Sequence, residues 1–332
     1  MRLGDVATLS ALLARIARGP RTPDRPDPSV VEDRDREGGG LRYDWYASPD
    51  RLRGAVIALH GVTVNGARDH RLVHFARCLA RARVACAVPT LPGLAACRVE
   101  ARDVDLLGGL VASLGAAGHR PGLIGFSYGG SYALAAAARP ALAASCRFVL
   151  TFGAYHRLDD LMTERAAARD EEPATAAAWD DAIYERLVLA HGYPDAAALP
   201  PAAQAEAAAL LGRYCHAATP EEKRAFYERH LRGLDLPRLH AAIAPAAVAA
   251  VSPGGALGAV RCPVSLVHDR DDSIIAPAHA ERLHAELRAA APAGSHRLLV
   301  TALLSHVDLR QALRPGDVGR LYAALAPILA AD

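Results

Sequence analysis

Short apolar runs alternate with helical patterns over much of the chain, and this alternation constrains the fold more than any other feature. The run RGAVIALHG, residues 53–61, is continuously apolar in its centre, which is typical of a strand buried on both faces. A helical pattern follows, with Leu72, Phe75, Ala76 and Leu79 spaced along one helix face. Further strand-like runs are VACAVPTLPG, GLIGF and CRFVLTFG, each separated from the next by a helical segment. Repeated βα units predict an α/β fold, with a mostly parallel, doubly wound sheet and helices on both faces.

The alternation stops near Ala154 and resumes near residue 259. The intervening segment is rich in alanine, has helical patterns interrupted by prolines, and shows no convincing strand. The strand patterns PVSLVHDRDD and HRLLVTA then return, and these late strands need a sheet to join. We therefore predict one α/β core, residues 41–154 and 259–332, with a helical cap insertion at residues 155–258.

Residues 1–40 come before the first predicted strand, LRYDWYA, and differ from it in composition. The opening stretch places Leu9, Leu12, Leu13 and Ile16 on one face of a short amphipathic helix. The following stretch to the triple glycine mixes charges of both signs, and we interpret it as a solvated polar linker. The apolar face of the helix needs a packing partner, which leaves a homodimer open.

The stretch LIGFSYGGSYALAAAA, residues 123–138, places Ser127 between an apolar strand pattern and an alanine-rich helix. Gly125 and Gly129 flank it in a Gly-x-Ser-x-Gly pattern. A nucleophile exposed on a strand-to-helix turn adopts a strained backbone conformation, and small neighbours let that turn close. The start of the following helix also favours negative charge that develops at the turn. The pattern indicates a serine nucleophile, and a serine that only caps the helix is the alternative.

A serine hydroxyl is a poor nucleophile, so this interpretation requires a histidine base and an acid that orients the base. His306 follows the last predicted strand, although the chain holds 14 histidines and a surface role is the alternative. Asp271 and Asp272 follow the strand PVSLVH, at an edge where loops carry sites in open α/β sheets. Asp159 and Asp160 follow another strand and remain rival acids. The candidates occur in the chain order Ser, Asp, His, which is one known order for a catalytic triad.

From about Leu41 to Ala331 the chain resembles the α/β-hydrolase superfamily. Four motifs carry the resemblance: HGVT after an early strand, GFSYGG, HDRDDSIIAP and SHVDL. The resemblance implies an esterase-like member with a serine nucleophile and a helical cap. It also implies an oxyanion hole formed by the backbone N–H groups of Val62 and Tyr128.

The acid loop of that superfamily often has the pattern His-Gly-x-x-Asp-x-x-Val-Pro. This chain matches the pattern at His268, Asp272 and Ile275, whereas Asp269 replaces the glycine and Ala276 the proline. The resemblance therefore selects Asp272 as the acid.

Together, the motifs and the resemblance predict a serine hydrolase of the carboxylesterase type, which cleaves an ester or related acyl bond of a small molecule. Ser127 would attack the carbonyl, His306 would take its proton, and Asp272 would orient the imidazole. An acyltransferase or a carbon–carbon bond hydrolase is the alternative, because both use the same triad. The non-enzyme alternative is a catalytically silent, ligand-binding protein of the same fold. No organic cofactor or metal ion is expected.

The composition excludes several other classes. The chain has 332 residues with 38 basic and 36 acidic side chains, and a net charge of +2 provides no general field for nucleic acid. No apolar run reaches the length of a membrane span. The six cysteines form no Cys-x-x-Cys pair, which favours a reducing, cytoplasmic location. The stretch GVTVNGAR has Ala67 and Arg68 where a phosphate-binding loop requires Lys and Ser or Thr, so nucleotide binding is not expected.

Overall fold

An eight-stranded sheet forms the centre of the protein. The computed structural model describes residues 3–19, 27–142, 144–167, 175–291, 295–302, 304–305, 308–309 and 315–329. The strands of the main sheet are β1 (Val31–Gly38), β2 (Leu41–Ala47), β3 (Gly54–Leu59), β4 (Val84–Pro89), β5 (Gly122–Phe126), β6 (Val149–Phe152), β7 (Val264–Asp269) and β8 (His296–Thr301). Their order across the sheet is β1-β2-β4-β3-β5-β6-β7-β8, and all neighbours from β4 to β8 are parallel. A short separate hairpin pairs β9 (Leu304–Ser305) with β10 (Asp308–Leu309).

The apolar strand patterns explain why these segments lie in the middle of the sheet. Every residue of β3, β4 and β7 is buried, as expected for parallel strands covered on both faces. The prediction of an α/β fold with a mostly parallel sheet is confirmed.

The helices are, in chain order, α1 (Leu3–Ala17), α2 (His70–Arg81), α3 (Pro92–Ala95), α4 (Ala101–Ala116), α5 (Tyr128–Ala137), α6 (Leu158–Ala167), α7 (Ala176–Gly192), α8 (Pro194–Ala197), α9 (Pro201–Arg213), α10 (Pro220–Phe226), α11 (Leu236–Ala241), α12 (Pro245–Val251), α13 (Pro277–Ala290) and α14 (Pro315–Leu329). One apolar core lies between the sheet and helices α4, α5 and α13. A second core lies between the sheet and helices α1, α2 and α14. The sheet is therefore covered on both faces, as a doubly wound fold requires.

The N-terminal segment differs from its sequence interpretation in one respect. The assignment of residues 31–38 to a polar linker is wrong, because they form β1 and pair antiparallel with β2. Most side chains of β1 are exposed, so the strand lacks the apolar alternation that would reveal it in the sequence. Its charged residues suit an edge strand, and a bulge near Asp35 (φ 57°) lets the Asp35 N–H donate to Asp44 Oδ1 at 3.0 Å.

The apolar face of α1 packs within its own chain. Leu9 and Leu12 are buried in the core formed with α2 and α14. The hydroxyl groups of Tyr322 and Ser10 are hydrogen-bonded at 2.5 Å, and the ring Nε2 of His74 lies 3.0 Å from the Arg15 carbonyl oxygen. These contacts attach the N-terminal helix to the core of the same molecule.

Helices α6 to α12 lie between β6 and β7 in the chain, and the described residues of this interval contain no strand. Part of the interval has its own apolar cluster, built around Leu187, Leu210, Phe226 and Leu231. Among the described residues, no helix has both the length and the apolar character needed to cross a membrane.

Candidate active site

Ser127 occupies a sharp turn between β5 and α5. Its backbone angles are φ 52° and ψ −127°, in a region that residues with a Cβ atom rarely adopt. Two hydrogen bonds hold the turn: the Ser127 N–H donates to the Phe152 carbonyl at 2.7 Å, and the Gly130 N–H donates to the Ser127 carbonyl at 2.9 Å. The strained conformation is therefore built into the fold.

The two flanking glycines are needed because backbone atoms approach them closely. A Cβ atom on Gly125 would lie 2.4 Å from the Gly129 carbonyl oxygen. A Cβ atom on Gly129 would lie 2.3 Å from the His60 carbonyl oxygen, in the loop after β3. Both distances are shorter than any real contact, so the turn closes only with glycine at these positions.

The loop after β3 lies directly against the serine. A Cβ atom on Gly61 would lie 3.2 Å from both the Phe126 carbonyl oxygen and Ser127 Cβ, so the Gly61 backbone lies against the turn. His60 orders this loop, since its ring Nε2 accepts the Leu91 N–H at 3.0 Å and its Nδ1–H therefore donates to the Gly61 carbonyl at 2.6 Å. Burial lowers the pKa of His60 and favours this neutral ring.

Val62 and Tyr128, each with a backbone N–H group, directly follow Gly61 and Ser127 in the chain. Among the described residues, neither N–H has a hydrogen-bond acceptor. The Val62 carbonyl, in contrast, accepts a hydrogen bond of 2.7 Å from the hydroxyl of Tyr184 on α7.

The two adjacent aspartates after β7 have different environments. The side chain of Asp272 is fully buried, and its Oδ1 accepts the N–H groups of Ile274 and Ile275, each at 2.9 Å. Its Oδ2 lies 3.5 Å from Nε2 of the buried His268, which in turn donates to the Ile275 carbonyl at 2.7 Å. Asp271 is exposed.

Three sequence candidates for the base and the acid remain: His306, Asp159 and Asp160. His306 follows β8 in the chain and lies outside the described residues. Asp159 and Asp160 lie in the first turn of α6, partly exposed. The carboxylate of Asp159 is 2.6 Å from Arg157, and that of Asp160 is 4.0 Å from Arg282.

Sequence reasoning missed a set of contacts between the inserted helices and the loop after β7. Arg165 on α6 donates to Glu185 on α7 at 2.7 Å and to the Ser273 carbonyl at 2.7 Å. The hydroxyl of Ser273 is hydrogen-bonded to Asp181, also on α7. No local motif announces these contacts, because their partners lie far apart in the chain.

Ser127 lines a cavity of about 580 Å³. Helices α6 and α7 contribute part of the wall, including Leu161, Met162 and Val188. Other apolar side chains in the lining come from the helices α1, α2 and α14 and from strand ends: Leu12, Leu13, Ile16, Leu72, Phe75, Phe126, Phe152, Leu321, Leu325 and Ile328.

Of the eight charged side chains that the described residues contribute to the lining, six form ion pairs. Besides the pair of Arg165 and Glu185, Lys223 lies 2.9 Å from Asp180, and Arg71 lies 3.1 Å from Asp69. The other two, Arg98 and Asp181, are hydrogen-bonded to uncharged groups. The lining is therefore largely apolar, and most of its charges are neutralised locally. In the described part of the chain, no group of three or more His, Cys, Asp or Glu side chains could hold a metal ion.

Comparison with known proteins supports the architecture. The family model described as the alpha/beta hydrolase family matches residues 56–308. Among solved structures, the chain is similar to a Thermus thermophilus protein, with a TM-score of 0.50, 15% identity, and coverage of 91% of this chain and 99% of the other. It is also similar to a 2,6-dihydroxy-pseudo-oxynicotine hydrolase, with a TM-score of 0.50, 17% identity, and coverage of 90% and 66%. None of the curated protein sequences compared with the chain matches it.

Proposed function

Because the chain belongs to the alpha/beta hydrolase family, we propose that it is a serine hydrolase that cleaves an ester or a related acyl bond through Ser127. The observation that carries the proposal is the strained turn at Ser127, with φ 52°, packed against the backbone of Gly61. A strained serine between a parallel strand and a helix is typical of a nucleophile that must project from the sheet edge.

The oxyanion would be held by the N–H groups of Val62 and Tyr128. The contact between Gly61 and Ser127 supports this role, because it brings the loop after β3 beside the nucleophile. Preorganised backbone donors that meet the developing negative charge supply a large part of the rate acceleration in acyl transfer.

Asp272 would orient the base, and the base would be His306. The two N–H groups that donate to Oδ1 of Asp272 stabilise its ionised form and fix its plane. The ion pairs of Asp159 and Asp160 on α6 support Asp272 over these rival acids. In the mechanism, Ser127 attacks the carbonyl carbon while the histidine takes its proton, the leaving group departs with that proton, and water then hydrolyses the acyl-enzyme.

The cavity favours an uncharged, apolar acyl group. Its apolar lining stabilises hydrocarbon by removing it from water, at about 25 cal/mol per Å² of buried apolar surface. Most charges of the lining are already paired, which disfavours recognition of a charged substrate. The helices within residues 155–258 act as a cap over the site, since α6 and α7 supply part of the cavity wall.

The test is covalent labelling with an organophosphonate, followed by mass spectrometry. We expect one adduct, on the peptide that contains Ser127, and turnover of p-nitrophenyl esters of graded acyl length. The matched Ser127→Ala variant should take no label and should lose a factor on the order of 10⁶ in kcat. Labelling at another serine, or undiminished turnover by the variant, would refute the proposal.

A further inference from the structure

The cap helix α7 reaches the loop that carries Val62. The hydroxyl of Tyr184 donates to the Val62 carbonyl oxygen at 2.7 Å. This hydrogen bond crosses from the inserted helices to the α/β core, and its acceptor belongs to the residue whose N–H would hold the oxyanion. A second contact follows in the same loop, where the Asn65 side chain donates to the Gly212 carbonyl on α9 at 3.2 Å.

A restraint on the Val62 carbonyl is also a restraint on the Val62 N–H. The two groups belong to consecutive peptide planes joined at one Cα atom, so only the two dihedral angles of that residue relate them. The Gly61 carbonyl and the Val62 N–H share one peptide plane. His60 restrains that plane through its hydrogen bond to the Gly61 carbonyl. With Tyr184 holding the following plane, the N–H is oriented from both sides.

The hydroxyl of Tyr184 is suited to a permanent donor role. Burial raises the pKa of Tyr184 above its ordinary value, so the phenol is protonated at neutral pH. The ring belongs to the apolar cluster of the cap and lies 4.8 Å, centroid to centroid, from the ring of Tyr214. The side chain is therefore held by packing as well as by its hydrogen bond.

The same turn of α7 also holds the acid loop. Asp181 is hydrogen-bonded to the Ser273 hydroxyl, and Glu185 binds Arg165, which donates to the Ser273 carbonyl. Tyr184 and Glu185 lie three and four positions after Asp181, so each is a neighbour of Asp181 on the helix surface. One helical turn thus contacts both the loop after β3 and the loop after β7.

We propose that Tyr184 is a positioning residue, which orients the Val62 N–H and couples the seating of the cap to the assembly of the oxyanion hole. The inference rests on the proposed function, because it concerns the same site. It assigns to the cap a contribution to the chemical step in addition to substrate binding.

The experiment compares two conservative variants of the full chain, Tyr184→Phe and Tyr214→Phe. Both remove one hydroxyl from adjacent rings, but the Tyr214 hydroxyl donates within the cap, to the Asp180 carbonyl at 2.8 Å. With a p-nitrophenyl ester, Tyr184→Phe should lower kcat about 10-fold with KM changed less than about 3-fold, since loss of a whole oxyanion donor costs about 10² to 10³. Tyr214→Phe should change kcat less than about 2-fold.

Amide hydrogen exchange supplies a readout that does not depend on turnover. The peptide covering residues 60–66 should exchange faster in Tyr184→Phe than in the wild type, and it should be unchanged in Tyr214→Phe. Equal kinetics and equal exchange in the two variants would overturn the positioning role while leaving Ser127 labelling intact. A wild-type protein that takes no phosphonate at Ser127 would overturn the proposed function itself, and the inference with it.

Discussion

Arg165 donates a hydrogen bond from Nη1 to the carbonyl oxygen of Ser273 at 2.7 Å, and Ser273 directly follows Asp272. The same guanidinium donates from Nε and Nη2 to Glu185. Burial alone would lower the pKa of Arg165, but the hydrogen bonds and charge of Glu185 outweigh it and raise the pKa. The guanidinium therefore joins helices α6 and α7 and the loop after β7 in one cluster.

Replacing Arg165 with alanine should destabilise the protein and slow the reaction. The side chains of Arg165 and Glu185 are 20% and 11% exposed, which is intermediate between a surface and a buried ion pair. A surface pair stabilises the fold by less than about 1 kcal/mol. Breaking a buried pair costs about 3 to 5 kcal/mol. We expect a loss of about 2 kcal/mol in the free energy of unfolding, measured by urea titration.

The matched control is Arg157→Ala, which breaks the pair with Asp159 at the surface. The side chains of Arg157 and Asp159 are 45% and 47% exposed. The loss in the free energy of unfolding should therefore stay below about 1 kcal/mol. Equal losses in the two variants would contradict the linking role of Arg165. In addition, kcat should fall in Arg165→Ala only, because only that change removes a hydrogen bond to the loop next to Asp272.

The strain at Ser127 predicts that its removal stabilises the fold. A residue with a Cβ atom in such a region costs about 1 to 3 kcal/mol, whereas glycine costs about 0.5 to 1 kcal/mol in backbone entropy relative to alanine. The strain is the larger contribution, so Ser127→Gly should raise the free energy of unfolding by about 1 kcal/mol. Ser127→Ala keeps the Cβ atom and should not.

Urea unfolding of the three proteins side by side is the measurement. Both variants lose the hydroxyl and should be equally inactive. If Ser127→Ala stabilises the protein as much as Ser127→Gly, the gain comes from the lost hydroxyl and not from backbone strain.

The central strands and the glycine-flanked turn at Ser127 can be predicted from the sequence because both depend on local patterns. β3 and β5 carry continuous apolar runs, and the glycines at 125 and 129 stand where the turn excludes a Cβ atom. β1 is missed for the opposite reason, since an exposed edge strand is held by backbone hydrogen bonds that leave no side-chain pattern.

The cap contacts could not be predicted, because they depend on three-dimensional placement. Nothing in the sequence distinguishes Tyr184 from Tyr214. The Tyr184 hydroxyl nevertheless donates to Val62 in the α/β core, whereas the Tyr214 hydroxyl donates to Asp180 within the inserted helices. Arg165 lies 108 positions from Ser273, and no spacing rule joins the two. Roles of this kind emerge only from the folded chain.

The buried histidine His279 predicts how stability depends on pH. Its Nδ1 accepts the His156 N–H at 3.1 Å, and its Nε2–H donates to Glu164 at 2.9 Å, so the ring is neutral in the fold. Burial, the largest influence, lowers the pKa of His279 below its ordinary value. As the pH falls through about 6.5, the unfolded chain takes up a proton that the folded chain does not, and stability falls.

One such histidine changes the free energy of unfolding by at most about 1.4 kcal/mol per pH unit. Other histidines with a pKa lowered by burial act in the same direction: His60, His74, His191, His240 and His296. The free energy of unfolding should therefore decline from pH 7 to pH 5. His279→Gln should be less stable at pH 7 but should show a shallower decline, and an unchanged slope would assign the dependence to the other groups.

The two adjacent aspartates after β7 should differ sharply in their contribution to catalysis. The Asp272 side chain is fully buried, and its Oδ1 accepts two backbone N–H groups at 2.9 Å, whereas Asp271 is exposed. In Asp272→Asn the amide oxygen can keep both backbone hydrogen bonds, so the loop should survive. The amide nitrogen then replaces Oδ2 and can no longer accept an N–H from the imidazole, which favours the wrong tautomer and costs about 10⁴ in kcat in a known triad.

We therefore expect Asp272→Asn to lose about 10⁴ in kcat with an unchanged melting temperature, and Asp271→Asn to change kcat about 2-fold at most. Ester hydrolysis and thermal unfolding of both variants are the measurements. Small, equal effects would transfer the acid role to Asp160 or Asp159 on α6. A large effect at Asp271 alone would show that the acid loop is shifted by one residue. Asp269, which replaces the superfamily's glycine, would explain such a shift, because Oδ1 of Asp269 accepts the Asp271 N–H at 3.3 Å.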